Sequence, residues 1–331
     1  MGYRLRRDIV ERARKLILEE GGRALEEARR EVSRWRVASP EARRALREFM
    51  SRWRDYTRPA IIRLSCKAVG GDVDATLKVA SALILVSGAF DLHDDIIDRS
   101  YVRGPRRRKT ILGRYGENIA LLVGDALLLR GTWLLSRELA RMKISRRRVE
   151  EILDLLFELG VAEALELRFV GKLDVKPDEY LKVVELKAAD VEAYAKLGGV
   201  IGGGSEDQVE ALGLYGRRLG MIAIVRDDLE DLLNYKVELK SRIMHESLPL
   251  PLVYALNSPG HREDVLEALS MSGDEGLRRL VKVVEKSGGI DATLNLLSKL
   301  VNEAEEALDR VGGDVEGLRL LVKAAVPVLE A

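Results

Sequence analysis

Residues 79–98 read VASALILVSGAFDLHDDIID, an apolar run closed by a knot of aspartates. The run has no two-residue alternation, and from Val73 to Asp98 its length and pattern fit a helix buried on most sides. A helix of that kind ending in carboxylates is the feature to explain. Outward from it, helical periodicity continues. Ile9, Ala13, Leu16 and Ile17 form one stripe, and Val149, Ile152, Leu155, Leu156 and Leu159 form another. Ser39-Pro40 starts a helix to roughly residue 50, and Arg58-Pro59 starts one that ends at Gly70-Gly71. Further helices are expected at roughly 111–142, 146–171, 176–203 and 206–233, with a basic loop at 99–110. Beyond Pro249 the breaks fall at Ser258-Pro259-Gly260, Ser272-Gly273, Gly288-Gly289 and Gly312-Gly313. The expectation is one all-α domain over residues 1–331.

Composition narrows the function. Aromatic residues make up only 5%, which argues against a β-sandwich or barrel. The 55 basic and 54 acidic side chains leave a net charge of +1, so the electrostatic footprint of a nucleic-acid binder is missing. Cys66 is the one cysteine, and His93, His245 and His261 are the three histidines. A disulfide framework and a cysteine- or histidine-rich metal centre are thereby excluded, and the single cysteine fits a reducing, cytoplasmic setting. No apolar signal core follows the first basic residues. The longest apolar stretches, near Val79–Phe90 and Ile119–Leu129, fall short of the ~20 residues of a membrane span.

A second cluster repeats the first. Asp227-Asp228-Leu229-Glu230-Asp231 follows Met221-Ile222-Ala223-Ile224-Val225, just as Asp94-Asp95-Ile96-Ile97-Asp98 follows its own apolar run. Both have the form D-D-x-x-D. The spacing puts Asp94 with Asp98, and Asp227 with Asp231, on one helical face, where like charges repel. An acidic, solvated helix face would explain one such cluster. A chance match is expected at roughly 0.1 per chain, so two behind apolar helices point to a shared positive ligand. Oxygen donors without histidine or cysteine select a hard cation such as Mg²⁺, which partners phosphate oxygens.

These clusters, with Leu92-His93, Gly124-Asp125-Ala126-Leu127-Leu128, Lys187-Ala188-Ala189, Leu197-Gly198-Gly199, Tyr215-Gly216-Arg217-Arg218-Leu219-Gly220 and Leu248-Pro249-Leu250, resemble the trans-isoprenyl diphosphate synthases, or polyprenyl synthetases, from about Arg54 to Leu256. The resemblance implies an all-α bundle of long antiparallel helices around a deep central cavity, usually a homodimer, with a heteromer as a further arrangement. It also implies Mg²⁺ held by Asp94, Asp95, Asp98, Asp227, Asp228 and Asp231, about three ions matching six carboxylates. The reaction implied is ionisation of an allylic diphosphate, attack by the double bond of isopentenyl diphosphate, and proton loss, in a cavity that excludes water.

For the diphosphates, the resemblance implies roles for Lys187, Arg58 and Arg103. Arg106 and Arg107 in the basic loop, and Lys236 and Lys240 beyond the second cluster, are further candidates. Ala89 and Phe90, five and four positions before Asp94, are expected at the cavity floor. Their mixed sizes suggest products of about 15 to 25 carbons, centred on geranylgeranyl diphosphate. His93 reads as an orienting residue and Cys66 as core. Gly198, Gly199, Gly202, Gly203 and Gly204 read as sites of close helix packing or of a bend.

The pattern departs from the family upstream. Where it carries G-G-K-R-x-R-P, residues 53–59 read WRDYTRP, with Asp55 at the lysine position and Tyr56 at the first arginine position. A reversed charge beside a phosphate weakens binding, so Asp55→Lys is expected to raise activity. Two other readings follow from this departure: a cyclase or diphosphatase that does not use isopentenyl diphosphate, and a non-catalytic subunit of a heteromeric synthase.

Overall fold

The computed structural model describes residues 3–4, 7–104, 107–326 and 328–329. Helices dominate them; two short β-ribbons are the only strands among them, Tyr3–Arg4 with Val328–Leu329 and Val102–Arg103 with Arg108–Lys109. The chain divides into two compact units. The first comprises Arg14–Glu151 and Leu197–Ser205; the second comprises the described residues up to Ala13, Ile152–Lys196, and those from Glu206 onward.

The first unit holds most of α1 (Arg7–Ser33), then α2 (Pro40–Arg52), α3 (Thr57–Ala68), α4 (Leu77–Ile97), α5 (Ile111–Tyr115) and α6 (Glu117–Arg141). Ser39 caps α2 by accepting from the Ala42 N–H at 3.2 Å, with Pro40 in the first turn. The apolar run becomes α4, which lies along α6 with Leu83, Ile84, Leu85 and Leu92 inaccessible to solvent or nearly so. Glycines on α6 allow this approach. A Cβ on Gly131 would sit 2.9 Å from a Val86 methyl, and one on Gly124 would sit 2.5 Å from His93 Nε2. The helical runs Val73–Ile97 and Glu117–Arg141 are long and apolar enough to cross a membrane, which corrects the expectation from broken apolar stretches. Ser, Gly and Asp interrupt the hydropathy but not the helix. The most apolar window of the first run is 67% buried inside the protein and that of the second 39%.

The second unit contains α8 (Pro177–Lys187), α10 (Glu206–Leu233), α12 (Leu250–Asn257), α13 (Arg262–Ser270), α14 (Gly273–Lys286), α15 (Gly289–Val311) and α16 (Glu316–Ala325). Its core is α10 packed along α15, and the buried Tyr215 hydroxyl donates to the Leu318 carbonyl at 3.0 Å. The units share α7 (Arg146–Glu166) and α9 (Ala189–Ile201).

The expected breaks after Pro249 all fall at helix junctions, with Gly273 and Gly289 each opening the next helix. Two expected helices are each divided. Residues 111–142 break at Gly116, whose φ of +81° is the left-handed conformation that ends α5. Residues 176–203 break at Ala188, where no glycine or proline marks the end of α8.

Candidate active site

Both aspartate clusters occupy the C-terminal end of a helix, α4 or α10. The helix dipole is negative there, so carboxylates raise the free energy of the end they occupy. Each cluster is met by an arginine arriving from the segment that follows.

In the first unit the arginine is Arg103, on the β-ribbon after α4. Its Nη1 lies 2.8 Å from Asp91 Oδ1, its Nε 2.8 Å from Asp95 Oδ1, and its Nη2 3.7 Å from Asp94 Oδ2. Asp95 is buried, while the Asp94 side chain is 40% exposed. Burial pushes the Asp95 carboxyl up from 3.8 to about 7, against the pull of Arg103. Asp98 follows the last helical residue, and its N–H donates to the Asp94 carbonyl. His93 packs over Gly124 with Nε2 3.3 Å from Asp125 Oδ1, turned to the neighbouring helix. Ala89 is buried and Phe90 half-buried.

In the second unit the arginine is Arg242, on α11 (Lys240–His245). Its Nη2 donates to Asp228 Oδ1 at 3.0 Å and its Nη1 to Asp231 Oδ2 at 3.2 Å. Asp228 is 1% exposed and also accepts from the Tyr180 hydroxyl at 2.8 Å and the Leu250 N–H at 3.1 Å. Burial raises the Asp228 carboxyl and lifts that of Asp231 from 3.8 to about 6, with Arg242 opposing both. Asp227 is exposed and is paired with its neighbour Arg226 at 2.6 Å. Thus in both clusters the second aspartate is buried against an arginine and the first faces solvent.

Lys187 closes α8 and pairs with Glu163 at 3.2 Å and with Glu166. Burial would raise the Glu166 carboxyl, but Lys187, Ser247 and Arg242 together hold it below its ordinary value. Lys236 and Lys240 are exposed, and Lys236 lies 3.8 Å from Asp274. Arg107 is exposed beside the ribbon turn; Arg106 lies outside the described residues.

Asp55 is not beside open solvent. It is buried, accepts from the Ser87 hydroxyl at 3.0 Å and the Arg58 N–H at 3.2 Å, and lies 3.6 Å from the Arg58 guanidinium. It caps α3 and ties it to α4, so the reversed charge inferred from sequence is spent within the fold. Asp91, Tyr180, Glu166, Arg242 and Ser247 were not singled out from sequence. Arg242 alone had a visible signal, an arginine soon after an acidic helix end.

The donor atoms of both clusters are carboxylate oxygens, which fit a hard dication. Among the described residues no three histidine, cysteine, aspartate or glutamate side chains form a ready-made metal cage. Mg²⁺ tolerates this, because it retains waters and takes one or two carboxylates alongside phosphate oxygens.

The family model for polyprenyl synthetase matches residues 41–287. The short chain isoprenyl diphosphate synthase of Methanothermobacter thermautotrophicus is 30% identical over 260 residues, covering 76% of this chain and 79% of its own. The geranylgeranyl diphosphate synthase of Methanosarcina mazei is 30% identical over 261 residues, covering 76% and 78%. Among solved structures, the Caulobacter crescentus polyprenyl synthase complexed with calcium and isoprenyl diphosphate has the same fold. It superposes with a TM-score of 0.79 at 23% identity, over 96% of this chain and 95% of that one. The chain belongs to the polyprenyl synthetase family.

Proposed function

We propose that the chain, over residues 1–331, is a prenyltransferase that joins an allylic diphosphate to isopentenyl diphosphate, giving an all-trans product of about 15 to 25 carbons centred on geranylgeranyl diphosphate. The observation that carries this is the pair of aspartate clusters, each at a helix end and each backed by an arginine. The relatives include a geranylgeranyl diphosphate synthase, which supports the product range.

Of the proposed metal-binding residues, Asp94, Asp98, Asp227 and Asp231 are the more accessible carboxylates, and Asp95 and Asp228 are buried. Mg²⁺, about three ions per site, supplies Lewis-acid assistance to the departing diphosphate when bound. The allylic C–O bond breaks, its electrons leave with diphosphate, and the isopentenyl double bond forms the new C–C bond. Loss of one proton restores an alkene. Lys187, Arg58, Arg103, Arg106, Arg107, Lys236 and Lys240 are the proposed diphosphate contacts. Ala89 and Phe90 limit the tail.

We place the enzyme in the cytoplasm as a homodimer. Leu122, Leu129 and Trp133 support the dimer: they lie on one stripe of α6, 60%, 72% and 48% exposed, and Arg130 and Arg137 stack on the Trp133 ring. No observation favours a cyclase or a silent subunit.

The test is product analysis after incubation with Mg²⁺, an allylic diphosphate and labelled isopentenyl diphosphate. Longer prenyl diphosphates are expected, and Asp94→Ala should cut turnover by about a thousandfold. Phe90→Ala should lengthen the product. Unincorporated label, with alcohols or hydrocarbons formed, would overturn the reading.

A further inference from the structure

Arg242 spends its whole guanidinium on the protein. Besides the contacts to Asp228 and Asp231, its Nε donates to the Ser247 carbonyl at 2.9 Å and lies 3.4 Å from Glu246 Oε2. Its Nη2 also reaches the Tyr180 hydroxyl at 3.2 Å. Ser247 then carries the connection onward. The serine is 1% exposed, and its hydroxyl donates to Glu166 Oε1 at 2.6 Å. The other Glu166 oxygen receives Lys187, which Glu163 holds from its second side. An unbroken run of charge-assisted hydrogen bonds therefore joins the second aspartate cluster to Lys187.

We infer that Arg242 is a positioning residue for diphosphate binding, which fixes Asp228 and Asp231 directly and fixes Lys187 through Ser247 and Glu166. This rests on the reading of the site given above. Three physical arguments support it. A planar fork reaches Asp228, Asp231 and the Ser247 carbonyl from three separate nitrogens, a spread that the single nitrogen of an ammonium does not cover. Burial makes each link strong and makes an incomplete network costly, so the groups move as a set. Finally, in these pairs the five carboxylates of Asp228, Asp231, Glu246, Glu166 and Glu163 outnumber the two cations Arg242 and Lys187, which favours an incoming cation.

The experiment is calorimetric titration of the full-length protein with inorganic pyrophosphate in the presence of Mg²⁺, which needs no turnover. Ser247→Ala should weaken binding about fivefold. Arg242→Lys should lose a similar factor because one nitrogen cannot fill the separated Nε, Nη1 and Nη2 donor positions of the guanidinium. Arg242→Gln should lose about tenfold or more. The decisive variant is Ser247→Ala in a Lys187→Ala background, where the serine change should have almost no further effect, since its influence runs through the lysine. Multiplicative losses in the double variant would overturn the coupling. So would wild-type affinity in Ser247→Ala or Arg242→Lys, both of which keep a folded chain observable if Arg242→Gln does not fold. A parent protein that fails to bind pyrophosphate with Mg²⁺ sinks the reading of the site itself, and the inference with it.

Discussion

Asp55 illustrates how a single residue can mislead when read by alignment alone. Its position suggests a defective phosphate contact, yet its carboxylate caps α3 and bonds Ser87 in the interior. Asp55→Lys should therefore fail to improve use of isopentenyl diphosphate. It should lower stability by about 3 kcal/mol, read from urea unfolding, because it buries an ammonium beside Arg58 in place of a bonded carboxylate. Asp95 yields a pH dependence. Its folded value of about 7 lies above the unfolded 3.8, so the native chain binds more protons than the unfolded one in between. Stability of the metal-free protein thus falls as pH rises from about 4 to 7, and Asp231, at about 6, acts in the same direction. In EDTA, Asp95→Asn should gain in Tm relative to the parent as pH rises through that window. A difference in Tm that stays constant with pH would refute the assignment.

At the scale of elements, the recurring device is the acidic helix end answered by a returning arginine. The sequence displays the acidic ends; which arginine answers each depends on the ribbon after α4 and on α11. Close approach between helices is the second device. A Cβ on Gly198, in the last turns of α9, would lie 2.2 Å from the Ile62 carbonyl on α3, and one on Gly202 would lie 2.8 Å from the Cys66 carbonyl. Backbone cannot yield as a flexible side chain does. Gly198→Leu should thus cost about 3 kcal/mol or more by thermal or denaturant unfolding. Cys66 beside this contact is fully buried, and burial pushes its thiol up to about 11, in keeping with a core residue rather than a nucleophile.

For the molecule as a whole, assembly is the property most open to test. Leu122→Glu with Leu129→Glu changes two exposed side chains, so the fold should be retained. Light scattering should then report a species of 36.9 kDa in place of the dimer. A parent chain that already runs at that mass would remove the dimer from the proposal. What the sequence alone determined was the helical class, most helix boundaries, and the two aspartate clusters, because periodicity and local punctuation are properties of neighbouring residues. Only the tertiary structure decided which carboxylates are buried, that Asp55 is a helix cap, and that Arg242 joins Asp228 to Lys187 through Ser247 and Glu166. Those facts depend on contacts between residues tens of positions apart, and burial and pairing, which set charge and hydrogen bonding, exist only once the chain has folded.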